Sequence, residues 1–363
     1  MKITNPFART KVPWCTTCEW LVLGLLVLSI LWRGGKSLDM TWLLTGVAAF
    51  ITLVSHTKNR RIGNKDVPLM LWGAVMGFIA LTIISYLLST TSNYGLDEVL
   101  RTGALSLVLL WIIRAASDGD AGDEYIVRIV RILCITVIVA CGIGIMVYVF
   151  QPVNRLVGSF FDFRFHTDYW PNAWAQFLLL TWPLVLYWVL RDYRFDTKDL
   201  RSRSELLMRS AIVGLVFACL LLSFSRGGFL VFLSQLSLWG LIIYKKTRPQ
   251  FPVRSIIPVS VVVVTVAIGC FLSINAVRSN LYEVQEVGEK VTLSAAEGSS
   301  SVSERFGFWS QALNLATQKP LFGWGPYSFR FVQPQLQRQV LATSDHPHNV
   351  ILKILMERGI LAT

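Results

Sequence analysis

The chain has 363 residues, of which 53% are hydrophobic and only 15% are charged, and its formal net charge is +12. A soluble domain usually has about 25% charged residues, so this deficit argues against an ordinary soluble protein and favours a membrane protein. The basic residues lie in short loops between apolar runs, which is the pattern that orients membrane proteins, and therefore the charge does not indicate nucleic-acid binding.

About nine apolar runs approach the roughly 17–25 residues that a helix needs to cross a hydrocarbon core. We therefore predict an all-α, polytopic membrane protein with spans at residues 18–32, 40–54, 67–88, 100–116, 129–150, 172–190, 211–224, 227–244 and 256–272. No small-residue cleavage site follows the first run, so we expect a retained span rather than a signal peptide.

Loop charge predicts the orientation. Lys and Arg cluster at the N-terminus and after the second, sixth and eighth runs, which lie on one side if the chain starts in the cytoplasm. The outer side then holds residues 89–99, 151–171, the hairpin 225–226 and everything from residue 273 onward. We divide the chain into N-terminal helices (1–150), central helices with an outer loop and a hairpin (151–272), and an outer segment (273–363).

The outer segment begins with a polar stretch, residues 279–300, which we expect to be flexible. Ser301 and Glu304 have the spacing of a capping box, so a helix should begin there. Apolar residues recur on one face of that helix: Phe306, Trp309, Leu313 and Ala316. We expect it to lie along the outer membrane–water interface, to end at Lys319-Pro320, and to be followed by a Gly323-Trp324-Gly325 turn.

Residues 349–358 are too few and too charged to cross a membrane. We expect them to form a short outer helix that leads into a further span beyond residue 363, so that the chain is a C-terminally truncated piece of a longer protein.

Two histidines flank a proline in the run Asp345-His346-Pro347-His348-Asn349, and three interpretations remain open. The run is a helix start capped by Asp345 or Asn349, or a metal site that lacks a convincing further ligand, or the location of an imidazole base. The six cysteines do not predict a metal site either, because the lone CxxC has no second pair.

Arginines supply the other candidate site residues. Arg226 lies in a hairpin that is predicted to be on the outer side, where the loop-charge rule expects few basic residues. Its side chain is therefore either functional or snorkels to the membrane surface. Arg305 by itself is a weaker indication of function, because an arginine on an exposed helix face is usually only solvated. Arg155 lies in an aromatic loop that forms either an interfacial belt or a platform for a sugar or a polyprenyl chain. Guanidinium groups bind phosphate oxygens in pairs, so such a site suits a diphosphate-bearing lipid.

These motifs resemble those of the O-antigen ligase and polymerase superfamily. The resemblance covers residues 150–363 and is carried by RLVG at 155–158, PN at 171–172, SRG at 225–227, RFGFWSQALNLATQKPLFGWGPYSF at 305–329 and HPHNVILKILMERG at 346–359. His348, Asn349 and Gly359 match the ligase spacing. The next position of that pattern takes Gly, Thr or Tyr, whereas this chain has Ala362, which weakens a ligase relative to a polymerase.

The resemblance implies a fold related to the polyprenyl-sugar-using membrane glycosyltransferases. It implies an inverting transfer, without metal or other cofactor, of a glycan from undecaprenyl diphosphate to a hydroxyl acceptor such as the lipid A core sugar. The active site would face the periplasm from the bacterial inner membrane, with His348 as the base and Arg226 and Arg305 on the diphosphate. Further candidate substrate-binding residues are Arg155, Asn172, His346, Asn349, Gly323 and Gly325.

Two other functions remain as alternatives. One is a polymerase of O-antigen or exopolysaccharide repeat units. The other is a transporter of a lipid-linked or anionic substrate, which should show broken helices or polar residues at the midplane of the membrane. The apolar runs here are mostly uninterrupted, and the polar candidates lie at one edge of the membrane.

Overall fold

A computed structural model describes residues 13–32, 37–58, 68–89, 95–117, 119–158, 171–190, 200–246, 253–282, 295–336 and 344–363. Within these ranges every regular element is a helix, and no strand occurs. The prediction of an all-α protein is therefore confirmed.

Within the described ranges, nine long helices coincide with the nine predicted spans. They are α1 (Pro13–Leu31), α2 (Leu38–Lys58), α3 (Leu69–Leu87), α4 (Leu96–Ala116), α5 (Gly119–Phe150), α6 (Pro171–Leu190), α7 (Leu200–Leu222), α8 (Arg226–Lys246) and α9 (Val253–Leu281). Six of the helices in the described ranges are long and apolar enough to cross a membrane, namely α2, α3, α4, α5, α7 and α9, and α1 and α8 hold shorter apolar stretches. The chain is thus a multi-pass membrane protein.

The outer segment contains α10 (Ala295–Gln318), α11 (Phe329–Val332), a 3₁₀ helix (Gln333–Leu336), α12 (Val350–Arg358) and a final 3₁₀ helix (Ile360–Ala362). The end of α10 and the formation of α12 agree with the sequence-based predictions. The predicted start of α10 is wrong, because the helix already begins at Ala295 and Ser301 lies inside it.

The described residues form two compact units. One takes its residues from Met1–Val22, Leu38–Ile126 and Leu293–Thr363, and the other from Leu23–Ser37 and Val127–Thr292. We call them the first and the second unit. The three-part division proposed from the sequence stays a prediction.

The core of the second unit is apolar and tightly packed. Trp182 meets Phe217 and Phe232 edge-on, with ring centroids 5.4 and 5.6 Å apart. A Cβ atom on Gly214 would lie 2.7 Å from the Cβ of Val266, so the glycine permits the close approach of α7 and α9. Small residues at such contacts let membrane helices pack without a hydrophobic driving force between them.

A proline inside α6 requires a polar partner from α8. Pro183 has no N–H, so the carbonyl of Leu179 loses its helical donor. Gln235 donates its Nε2 to that carbonyl at 3.2 Å and accepts from Trp182 Nε1 at 2.8 Å. An unsatisfied carbonyl is costly in a hydrocarbon environment, so this polar residue completes the backbone of a neighbouring helix.

In the first unit, α10 packs against α11 and α12 through a small hydrophobic cluster: Phe308, Ala312, Leu315, Ala316, Phe329, Val332 and Met356. The apolar face that the sequence predicted for α10 is only partly the buried one, because Phe306 remains 61% exposed and Leu313 48% exposed. Two apolar stripes run along this helix, and the position of α12 determines which of them is buried. The exposed stripe keeps the interfacial placement of α10 open as a prediction.

Candidate functional site

The histidine run of the first unit ends in the N-cap of α12. The side chain of Asn349 accepts hydrogen bonds from Ile351 N at 3.0 Å and Leu352 N at 3.2 Å. These bonds satisfy two of the backbone donors that a helix start leaves free. The capping interpretation is therefore confirmed for Asn349, and its role in substrate binding stays a prediction.

His348 directly precedes this cap in a left-handed backbone conformation, with φ of 54°. Its ring centroid lies 4.7 Å from that of His346 and 6.0 Å from that of Phe308. His348 Nε2 lies 3.2 Å from Ser344 Oγ, and the intervening Pro347 is buried. His348 is thus an exposed residue whose ring has two ring neighbours and one polar contact, with Ser344.

Arg305 is an exposed residue of α10 that influences His348 through its charge. Partial burial of the imidazole, together with the positive charge of Arg305, lowers the pKa of His348 below its usual value. A base must be unprotonated to accept a proton, so a lowered pKa keeps His348 competent near neutral pH.

Asp345, the carboxylate at the start of the histidine run, forms an ion pair with Arg330. Asp345 Oδ1 lies 3.2 Å from Arg330 Nη1, which also lies 3.1 Å from the hydroxyl of Tyr327. In the described part of the chain no three His, Cys, Asp or Glu side chains are grouped so that they hold a metal ion. The metal-free mechanism stays a prediction.

Gly323 and Gly325 belong to a turn that interlocks with the end of α12. Trp324 N donates to Met356 O at 3.0 Å, and Gly325 N donates to Glu357 O at 2.8 Å. Both glycines have positive φ, and a Cβ on Gly323 would overlap the backbone of Glu357, whereas one on Gly325 would overlap Ser89. This packing accounts for the two glycines, and their predicted contact with substrate remains untested.

A partly buried charge cluster joins α12 to α4, and sequence reasoning missed it. Lys353 Nζ lies 2.8 Å from Glu98 Oε1 and 4.0 Å from Glu357 Oε2. Arg358 approaches Glu98 at 3.6 Å, and Arg101 pairs with Glu98 at 3.3 Å. Complete burial raises the pKa of Glu357 to about 7, although Lys353 opposes this shift. The only sequence signal was the charge of residues 349–358, which we interpreted as a barrier to membrane insertion.

The second unit holds the other three candidates. Arg226 is the first residue of α8, and the preceding Ser225 is buried with its Oγ 3.2 Å from Gly228 N, as an N-cap. A Cβ on Gly228 would lie 3.0 Å from the Cβ of Ala175, so the start of α8 packs against the start of α6. Asn172 is exposed in the first turn of α6. Arg226 and Asn172 therefore occupy neighbouring helix starts.

The segment that carries Arg155 is anchored by a buried arginine of α9. Arg278 donates to the carbonyls of Tyr148, Gln151 and Val153, and its guanidinium lies 3.7 Å from the centroid of the Tyr148 ring. These are carbonyls at and just beyond the C-terminus of α5, which a cation satisfies well.

Leu156 N then donates to Leu222 O at 2.9 Å, which attaches this segment to the end of α7. The aromatic residues, His166 and Asp168 of the same outer loop lie outside the described residues, so the choice between a belt and a platform remains open.

The fold is thus that of a multi-pass, all-helical membrane protein. One unit holds His348 and Arg305, and the other holds Arg226 at the paired starts of α6 and α8 and the Arg155 segment, which is attached to the end of α7. Residues 211–363 match the family described as O-antigen ligase. This match includes the motifs at 225–227, 305–329 and 346–359, and it supports the O-antigen ligase superfamily for this chain. No curated protein and no solved structure matches it.

Proposed function

We propose that the chain is an O-antigen ligase-type glycosyltransferase of the bacterial inner membrane. It transfers a glycan from undecaprenyl diphosphate to a hydroxyl acceptor, such as the lipid A core sugar, on the periplasmic side. The observation that carries this proposal is that His348 and Arg305 act on each other inside the segment that matches the ligase family. Partial burial and the charge of Arg305 lower the pKa of His348.

In this mechanism neutral His348 accepts the proton of the acceptor hydroxyl as its oxygen attacks the anomeric carbon of the donor. The bond from that carbon to the diphosphate oxygen breaks, and the diphosphate leaves with the electron pair. Attack opposite to the leaving group inverts the anomeric centre. The new glycosidic bond requires no metal or nucleotide.

Arginines stabilise the charge of the diphosphate in this proposal. Arg305 and Arg226 each present a planar fork of donors that matches two phosphate oxygens. Arg226 begins α8 beside the start of α6, and helix N-termini favour anions because their backbone N–H groups are unpaired. Arg155 and Asn172, which belong to the same unit as Arg226, are proposed to bind the substrate. In the first unit, His346, Asn349, Gly323 and Gly325 support the site.

A second candidate function is the polymerisation of repeat units, and one observation favours it. Ala362 stands where the ligase pattern takes Gly, Thr or Tyr. The chemistry at His348 is the same in both functions, and only the acceptor differs.

The test is a transfer assay with the full-length protein in proteoliposomes, undecaprenyl-diphosphate glycan, and either the lipid A core or a second repeat unit as acceptor. Because a general base contributes about a hundred- to ten-thousand-fold in rate, His348→Ala should nearly abolish transfer. His346→Ala should cost clearly less, since its expected task is to shape the turn with Pro347.

Donor binding and membrane insertion should persist in both variants, and a chelator should leave the wild type active. Transfer to the repeat unit alone would replace the ligase by the polymerase. Undiminished transfer by His348→Ala would remove the proposed base.

A further inference from the structure

Ser344 makes three polar contacts that together restrict the position of its single proton. Its Oγ lies 2.8 Å from the carbonyl oxygen of His346, 3.4 Å from His346 N and 3.2 Å from His348 Nε2. A carbonyl oxygen accepts only, so the short contact with His346 O requires the hydroxyl proton of Ser344. The serine oxygen is then left to accept from the other two nitrogens.

This arrangement assigns the proton on the His348 ring. A neutral imidazole carries its proton on one nitrogen and a lone pair on the other, and hydrogen-bond partners select between the two forms. Since the Ser344 hydroxyl proton is already used, the contact with Nε2 is a hydrogen bond only when Nε2 carries the ring proton. The opposite tautomer would place two lone pairs against each other at this contact.

We propose that Ser344 is a positioning residue that holds His348 as the Nε2–H tautomer, so that Nδ1 is the atom that accepts the proton of the acceptor hydroxyl. The proposal rests on the function proposed above and makes it more specific. In that reaction the hydroxyl proton goes to Nδ1, and the imidazolium formed carries protons on both nitrogens. The acceptor oxygen must therefore approach the Nδ1 edge of the ring, and Ser344 occupies the other edge.

The surroundings of His348 favour this orientation of the ring. The cap at Asn349 and the buried Pro347 fix the backbone on both sides, and the rings of His346 and Phe308 flank the imidazole. Among the described residues, Arg305 on α10 acts on the ring through its charge, and the nearby carboxylate of Asp345 is paired with Arg330. Arg305 favours the neutral ring, and only a neutral ring has a tautomer to select.

The direct experiment reads the tautomer without using catalysis. The chain has only four histidines, so ¹⁵N-histidine labelling of the full-length protein gives few signals, and His348→Ala identifies the one of interest. In wild type at pH 8, Nε2 of His348 should give the signal of a protonated nitrogen and Nδ1 that of an unprotonated one. Ser344→Ala should give a mixture of both forms, and Ser344→Thr, which keeps a hydroxyl, should restore the wild-type pattern.

The kinetic experiment uses the same variants with a matched serine control. Ser344→Ala should lower kcat by about two- to tenfold, as expected for the loss of one hydrogen bond that selects the productive form. Ser344→Thr should recover most of this loss. Ser310→Ala, at an exposed serine of α10, should leave kcat unchanged.

The outcomes separate this inference from the proposed function. A wild-type His348 with its proton on Nδ1, or an unchanged tautomer in Ser344→Ala, would overturn the inference while a base role for His348 survived. Full transfer by His348→Ala would instead overturn the base role, and with it the role of Nδ1 as proton acceptor. The tautomer measurement would then decide only whether Ser344 selects the Nε2–H form.

Discussion

Arg305 has two properties that bear on the proposed reaction, a positive charge and a planar fork of hydrogen-bond donors, and a lysine would keep only the first. Its positive charge contributes to the low pKa of His348, and its planar fork is suited to a diphosphate. The first property depends on charge alone, whereas the second depends on the geometry of the donors. Variants at this one residue can therefore distinguish them.

Arg305→Ala should raise the pKa of His348, because the charge that disfavours the imidazolium is removed. A base is active above its pKa, so the acidic limb of kcat/KM should move to higher pH. Arg305→Lys should keep the limb near its wild-type position but restore only part of the transfer rate. The measurement is the pH profile of transfer by each variant.

Lys319→Gln is the matched control, because Lys319 lies over the ring of Trp324 in the same unit and is not among the causes of the lowered pKa of His348. Its profile should coincide with that of wild type. An unchanged acidic limb in Arg305→Ala would contradict the electrostatic effect of Arg305 on His348.

Arg226→Ala should also weaken transfer strongly, because it removes a proposed ligand of the diphosphate. Full transfer activity in both Arg226→Ala and Arg305→Ala would remove the proposed role of these arginines in binding the diphosphate.

At the scale of elements, α12 is a helix of 9 residues that depends on its surroundings. Isolated helices of this length are unstable in water, so tertiary contacts must supply the stability. Asn349 caps the start of α12, and the glycine turn donates two N–H groups to the carbonyls at its end. The charge cluster attaches Lys353, Glu357 and Arg358 to α4. These contacts also fix the backbone next to His348, which directly precedes the cap residue Asn349.

Glu357 should make the stability of this arrangement depend on pH. Its pKa is about 7 in the folded protein and 4.5 when unperturbed, so the folded state binds the proton more tightly. The resulting stabilisation is fully present below pH 4.5 and is lost as the pH rises to about 7. The loss is on the order of 3 kcal/mol, because one pKa unit corresponds to about 1.4 kcal/mol.

Glu357→Gln should flatten this dependence, because an amide resembles the protonated carboxyl group and does not titrate. The measurement is the thermal unfolding midpoint in detergent at a series of pH values. Glu304→Gln, at an exposed glutamate of α10, should retain the wild-type slope. Parallel slopes for wild type and Glu357→Gln would contradict the assignment of this pH dependence to Glu357.

At the scale of the whole molecule, the helices establish a multi-pass membrane protein, and the loop charges predict which side is outside. In this prediction the candidate site residues His346, His348, Arg226 and Arg305 lie on the outer side. A donor glycan carried on a periplasmic lipid would then reach them without crossing the membrane.

The orientation can be tested with single cysteines in a background without the six native ones. Ser279→Cys and Ser303→Cys should react with an impermeant thiol reagent in intact spheroplasts. Ser204→Cys should react only after the membrane is permeabilised, because the positive-inside rule places that basic region in the cytoplasm. The reverse pattern of labelling would place every proposed site residue on the cytoplasmic side.

The sequence by itself was sufficient for the class of fold and for the positions of the nine apolar helices α1 to α9, but not for the start of α10. A helix that crosses a membrane must satisfy its backbone internally, so its signal is a local apolar run of sufficient length. The helix start at Asn349 and the turn at Gly323 were also predictable, because caps and positive φ values depend on a few adjacent residues.

The tertiary structure alone decided the features that join distant parts of the chain. Phe306 and Leu313 are exposed because α12 packs on the other face of α10, and periodicity cannot choose between two apolar faces. Ser85 donates to Glu357 O at 2.7 Å, and Glu98 meets Lys353, across more than half of the sequence. The contact that assigns the His348 tautomer likewise depends on backbone geometry, because a turn must fold Ser344 back onto the ring before its proton can select one nitrogen.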